Sequence, residues 1–244
     1  MEFFDHYLRA LLSLPVRERY SREDLLTSAF LMEKHGQLEM FYSPHNEAVN
    51  EKGKIVIVGI TPGWVQMELA FRTARRLLEE GEGTAEILTA AKKAAQFSGS
   101  MRTYLIQMLD EMELPSFFEL PDASALFGEE RQLLHTVSLL KYPVFSNGKN
   151  YTGHQPPIKN NSFLMNYARD TLETDILTLD RPLIVPLGKA VEDVLHIFID
   201  EGKIDESQCL LGFPHPSGAN GHRHRQLRER KGALREKLQT FFTT

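Results

Sequence analysis

Lys54-Ile55-Val56-Ile57-Val58-Gly59-Ile60-Thr61-Pro62-Gly63 is a run of β-branched residues closed by a glycine–proline turn. A strand with one wet face would alternate apolar and polar residues. This run does not, so residues 54–60 read as a strand buried on both faces. Residues 133–141, 182–187 and 208–213 have the same character. Between these segments, apolar residues recur at helical spacing over 65–80, 84–96, 101–112, 162–174 and 189–200. Strands that alternate with helices imply crossover connections and a parallel sheet. The expected fold is α/β: a three-layer α/β/α sandwich with a central, mostly parallel four-stranded sheet.

Upstream of this core, helical patterns cover residues 3–14 and 22–39, separated by Pro15 and a capping signal at Ser21. They are expected to form an N-terminal helical segment, residues 1–50, packed on a single domain that spans residues 1–244. The chain shows no internal repeat and no low-complexity linker.

Composition narrows the function. The apolar runs are strand-sized, well short of the ~18 residues that suggest a membrane span, so no membrane association is expected. Met1-Glu2-Phe3-Phe4-Asp5-His6 is acidic and aromatic, unlike the cationic start of a signal peptide. Cys209 is the only cysteine. One thiol makes no internal disulfide, no cysteine-rich zinc site and no four-cysteine iron–sulfur cluster. The expectation is a cytoplasmic monomer without metal or cofactor. A net charge of −5 argues against wholesale coating of nucleic acid. It leaves room for a local cationic face, because binding depends on where charges sit. Arg223, Arg225, Arg228, Arg230, Lys231, Arg235 and Lys237 crowd one stretch opposed by Glu229 and Glu236 alone.

Ligands of such sheets sit beyond the carboxyl ends of the strands, so the segments after each strand decide the chemistry. The first is Gly59-Ile60-Thr61-Pro62-Gly63, a turn that lets backbone approach a ligand closely. The second leads through Lys141-Tyr142-Pro143 into a long polar loop over residues 147–157. The third, Leu187-Gly188-Lys189-Ala190, reads as helix packing. The fourth is Phe213-Pro214-His215-Pro216-Ser217-Gly218-Ala219-Asn220-Gly221-His222-Arg223. A histidine held between two prolines at a strand end is placed for function rather than for turning the chain.

Taken in order, these segments resemble the uracil-DNA glycosylase superfamily over residues 53–240. Gly59 to Gly63 resembles the loop that positions the attacking water. Gln96-Phe97-Ser98-Gly99-Ser100 resembles the segment whose Phe stacks on the extruded base. Residues 135–141 resemble the strand that ends in a base-reading polar residue, here Ser138, and a lysine, Lys141. Residues 181–190 resemble the third strand and its helix. His215-Pro216-Ser217 resembles the motif that opens the DNA-inserting loop. The resemblance implies that His215 and Thr61 act in catalysis, and that Gly59, Ile60, Pro62, Gly63, Phe97 and Ser138 surround the base. It further implies that Lys141, Ser217, Asn220, Arg223 and Arg225 meet DNA, single-stranded or a duplex with a damaged base.

The pattern departs from the superfamily at two places. Thr61 stands where Asp or Asn is usual, and Ile60 where other members have Glu. A threonine hydroxyl cannot serve as a general base near neutral pH; at most it orients a water. Ser138 stands at the usual Asn position and lacks the two-point amide face that tells uracil from cytosine. Glu68 is the nearest carboxylate in sequence to this loop.

Cleavage of the N-glycosidic bond in this superfamily is largely dissociative, so the main task is to stabilise a departing base anion. One preorganised donor supplies about 3 kcal/mol to such a step, and His215 would be that donor. Loss of a general base lowers the rate by ~10²–10⁴-fold without abolishing it. The expected function is a DNA glycosylase acting on uracil or another damaged base in base excision repair. The alternative is a nucleic-acid or nucleotide binder on the same scaffold that has lost catalysis. An unrelated small-molecule hydrolase is a third reading, since fold alone does not fix function.

Overall fold

The computed structural model describes residues 2–243. The chain divides into two compact units. One contains the residues up to Val49, Thr61–Ser98 and Leu140–Gln155. The other contains Asn50–Ile60, Gly99–Leu139 and the residues from Pro156 on.

In chain order the elements begin with helix α1 (Glu2–Ser13), helix α2 (Arg22–Leu25), and strands β1 (Leu31–His35), β2 (Leu38–Phe41) and β3 (Ile55–Gly59). Three helices follow: α3 (Trp64–Glu79), α4 (Thr84–Ala95) and α5 (Ser100–Glu111). Then come strands β4 (Leu134–Ser138), β5 (Val144–Ser146) and β6 (Lys149–Asn150). Helix α6 (Ser162–Thr171), strand β7 (Leu183–Pro186), helix α7 (Lys189–Asp200) and helix α8 (Arg223–Thr243) complete the chain.

The unit containing β3 holds a parallel sheet in the order β4-β3-β7. Its register runs from Ile55 opposite Leu134 and Leu183 to Gly59 opposite Ser138. Every residue of β3 is buried, which is why its sequence is apolar without alternation. Helix α7 buries Ala190, Val191, Val194, Leu195 and Phe198, an apolar stripe at helical spacing.

The expected fourth strand forms only in part. Cys209 makes a single parallel bridge with Ile184, in which the N–H of Leu210 donates to the Ile184 carbonyl at 2.8 Å. The next ladder bond would need an N–H from residue 186, and Pro186 has none. The chain then turns away at Gly212, whose φ of +94° suits glycine. There the Gly212 N–H donates to Glu192 Oε2 at 2.6 Å, and its carbonyl accepts from Arg230.

The other unit carries an antiparallel sheet in the order β1-β2-β5-β6. This corrects the reading of residues 22–39 as one helix. The helix stops at Leu25, and β1 and β2 pair through a tight turn at Gly36-Gln37, with Gly36 at φ +61°. The polar loop after β4 likewise contains β5 and β6, hinged on Asn147-Gly148, both at positive φ. Helix α1 buries Phe4, Tyr7 and Leu11, and α3 buries Met67, Ala70, Phe71 and Ala74. Tyr7 stacks on Tyr42, with ring centroids 4.3 Å apart.

The protein is therefore α/β, with one parallel and one antiparallel sheet. Among the described residues, no helix is long and apolar enough to cross a membrane.

Candidate functional site

At the carboxyl end of the parallel sheet, Gly59 and Ser138 lie side by side, with adjacent strands about 4.8 Å apart. Both are buried. The N–H of Leu139 donates to the Gly59 carbonyl at 2.9 Å, so pairing continues one residue past β4. On the other side of β3, Leu187 donates its N–H to the Val58 carbonyl at 2.9 Å. Gly188 then donates to the Phe213 carbonyl at 3.1 Å, which draws the segment before His215 to the end of β7.

His215 is partly exposed between two buried prolines. Its Nδ1 accepts the N–H of Ser217 at 3.1 Å. A ring nitrogen that accepts carries no proton, so the neutral imidazole keeps its proton on Nε2. The local sequence enforces this geometry. Pro214 and Pro216 fix the backbone on either side. Gly188, at φ +85°, leaves room for the close approach of His215, since a Cβ there would stand 2.8 Å from the Cβ of His215.

Beyond His215 the loop is tied to itself. Asn220 Nδ2 donates to the His215 carbonyl at 3.1 Å and to Gln226 Oε1 at 2.9 Å. Ser217 Oγ accepts the N–H of Ala219 at 3.0 Å. The Arg223 guanidinium lies 3.7 Å from the centroid of the Tyr104 ring and donates to the Asn220 carbonyl at 3.1 Å. Asn220 and Arg223, expected to meet DNA, are thus both engaged within the protein. Arg225 is exposed and pairs with Glu229 at 3.7 Å, a surface contact that contributes little. Further along α8, Arg235 pairs with Glu113 and Lys237 with Glu206. Arg228 and Lys231 form no ion pair among the described residues.

The remaining expected site residues belong to the other unit, apart from Ile60, which ends the stretch that contains β3. Thr61 Oγ1 donates to the Tyr142 carbonyl at 2.9 Å and accepts the N–H of Val144 at 3.0 Å. The hydroxyl proton is therefore committed to pinning the loop against residues 142–144. Pro62 is buried. The Gly63 N–H donates to Gln66 Oε1 at 2.8 Å and that of Trp64 to Asn150 Oδ1 at 3.1 Å, so side chains cap the start of α3. Arg22 lies over the Trp64 ring and donates to the Gly148 carbonyl at 2.7 Å.

Phe97 is buried at φ +46°, in a turn completed by Gly99 at φ +78°. The Lys141 carbonyl accepts from Asn46 Nδ2 at 2.8 Å. Glu68 is neither solvent-facing nor a free base. It is buried, accepts the Tyr20 N–H at 3.2 Å and pairs with Arg72 at 3.0 Å.

Sequence reasoning missed a second polar cluster in this unit. Ser43 Oγ lies 2.9 Å from Nδ1 of the buried His45. The buried Lys92 donates to the Ala48 carbonyl at 2.7 Å, and the Tyr142 hydroxyl donates to Glu47 at 2.5 Å. Its only signal was a polar stretch, residues 43–47, in front of the first buried strand. Tyr104 carried no signal at all. Among the described residues, no group of three or more His, Cys, Asp or Glu side chains could hold a metal ion.

Fold and strand-end geometry together define an α/β protein with a polar, histidine-bearing loop where its parallel strands end. Over 222 residues the chain is 44% identical to the protein named "Uncharacterized protein YoxB" of Bacillus subtilis (strain 168). That match takes in 91% of this chain and 87% of the relative, so the chain belongs to the YoxB family. No protein-family model matches it.

Proposed function

We propose that the protein is a DNA glycosylase of the uracil-DNA glycosylase superfamily that releases uracil or another damaged base. The observation that carries this reading is the fixed tautomer of His215. With Nδ1 accepting from Ser217, Nε2 offers a neutral N–H donor at the carboxyl end of the sheet. Such a donor stabilises negative charge that builds on a departing pyrimidine oxygen. The order of motifs along the chain supports the same reading. Ser138 and Gly59, on adjacent strand ends, are the proposed base-reading neighbours, and Phe97 is assigned its stacking role by that order alone. The finer architecture implied by the proposal is a three-layer sandwich around the parallel strands.

The second reading, a nucleic-acid binder without catalysis, is favoured by the fate of the first loop. Thr61 has its proton committed to Tyr142, and Glu68 is held by Arg72 and Tyr20, so neither supplies a general base. One experiment separates the two. Purified protein is incubated with labelled oligonucleotides containing uracil, hypoxanthine or xanthine, then treated with alkali. The glycosylase reading expects strand scission that falls by ~10²–10³-fold in His215→Ala. Intact strands with salt-sensitive binding leave the binder.

A further inference from the structure

A protein that pulls a base out of a duplex must supply something to hold the gap open, commonly an apolar wedge or a long side chain from a loop tip. The loop after His215 has its candidates turned inward. Asn220 holds the His215 carbonyl and Gln226, and its Oδ1 accepts the N–H of His222 at 3.3 Å. The Arg223 guanidinium lies over the Tyr104 ring, 3.7 Å from its centroid. What the tip exposes is Gly218, Ala219, Gly221 and His222. Two glycines and a methyl group cannot occupy the volume of a stacked base. The imidazole of His222 is the one ring at the tip, and it is polar and follows a glycine, so it makes a poor wedge.

Extruding a base is costly in a paired helix and least so in a single strand. From a tip without a wedge, we infer that the substrate is single-stranded nucleic acid, whose target base is already unpaired. The inference rests on the glycosylase reading for the reaction, but it concerns the state of the strand. The exposed cations at the start of α8, Arg225 and Arg228, suit a flexible backbone that adjusts to them.

The test compares one uracil-containing sequence as a single strand and paired opposite adenine. Base release from the single strand is expected to be at least about tenfold faster. Ala219→Leu, which places a wedge on the tip, is expected to narrow that ratio to under about threefold by raising the duplex rate. Equal rates, or a faster duplex, overturn the inference, whether or not the duplex rate depends on His222. If neither substrate releases base, the glycosylase reading fails on its own. Fluorescence anisotropy with the same strands carrying a tetrahydrofuran abasic analogue then decides. Tighter single-strand binding by about tenfold sustains the inference, and equal or tighter duplex binding overturns it.

Discussion

A Cβ at Gly188 would stand 2.8 Å from the Cβ of His215. The atom it would strike lies next to the backbone, so the clash cannot be relieved by swinging the imidazole aside. Gly188 also sits at φ +85°, where a side chain is strained. Gly188→Ala is therefore expected to cost about 1–3 kcal/mol of stability. It should also displace His215 and, on the proposed glycosylase reading, lower base release more than its effect on folding explains. Urea denaturation read beside activity per folded molecule separates the two effects.

His215 is expected to hold its proton on Nε2 when neutral, because Nδ1 accepts from Ser217. Nitrogen-15 spectra of histidine-labelled protein at mildly alkaline pH, assigned by comparison with His215→Gln, report which nitrogen carries hydrogen. A proton on Nδ1 would contradict the bond to Ser217. It would also remove the neutral N–H donor on which the proposed glycosylase reading rests.

The parallel core was legible because strands buried on both faces leave an unbroken apolar run, as in Ile55 to Val58. The hairpin of β1 and β2 was not, because Glu33, Lys34 and Glu39 are good helix formers in a short, charged stretch. The signal that outweighs them is Gly36 beside Gln37, at a two-residue turn. The fourth strand stops after one bridge for a reason visible only with its neighbour in place, the missing N–H of Pro186. His215 could be singled out from its prolines. Its cradle, Gly188, reads in sequence as the opening of a helix, and Tyr104 beneath Arg223 depends on a contact between distant segments.

Thr61 is expected to matter to stability more than to chemistry. Its hydroxyl joins the Tyr142 carbonyl and the Val144 N–H, and Thr61→Val leaves both without that partner. The expected cost is about 1–3 kcal/mol, with Thr61→Ser close to the parent. On the proposed glycosylase reading, base release per folded molecule should fall by less than the ~10²-fold that follows removal of a general base. A larger fall, restored by serine, would return Thr61 to the reaction.

Acid should act on the protein through His45. Burial first, and then the charge of Lys92, pull its imidazole from the usual 6.5 down to about 3. In the unfolded chain the ring takes a proton near its ordinary value, whereas in the folded protein it stays neutral until about pH 3. The unfolded state therefore binds the extra proton over that window. The stabilisation is present in full above pH 6.5 and is lost as pH falls toward 3. One such group tilts stability by about 1.4 kcal/mol per pH unit inside the window. His45→Gln can still meet Ser43 Oγ but cannot titrate. It should be less stable than the parent at pH 7, yet lose less stability between pH 6 and pH 4. Urea denaturation of both proteins across that range checks the slope. Parallel slopes would mean that His45 is protonated within the fold, and that the buried cluster around Ser43 and Lys92 accommodates its charge.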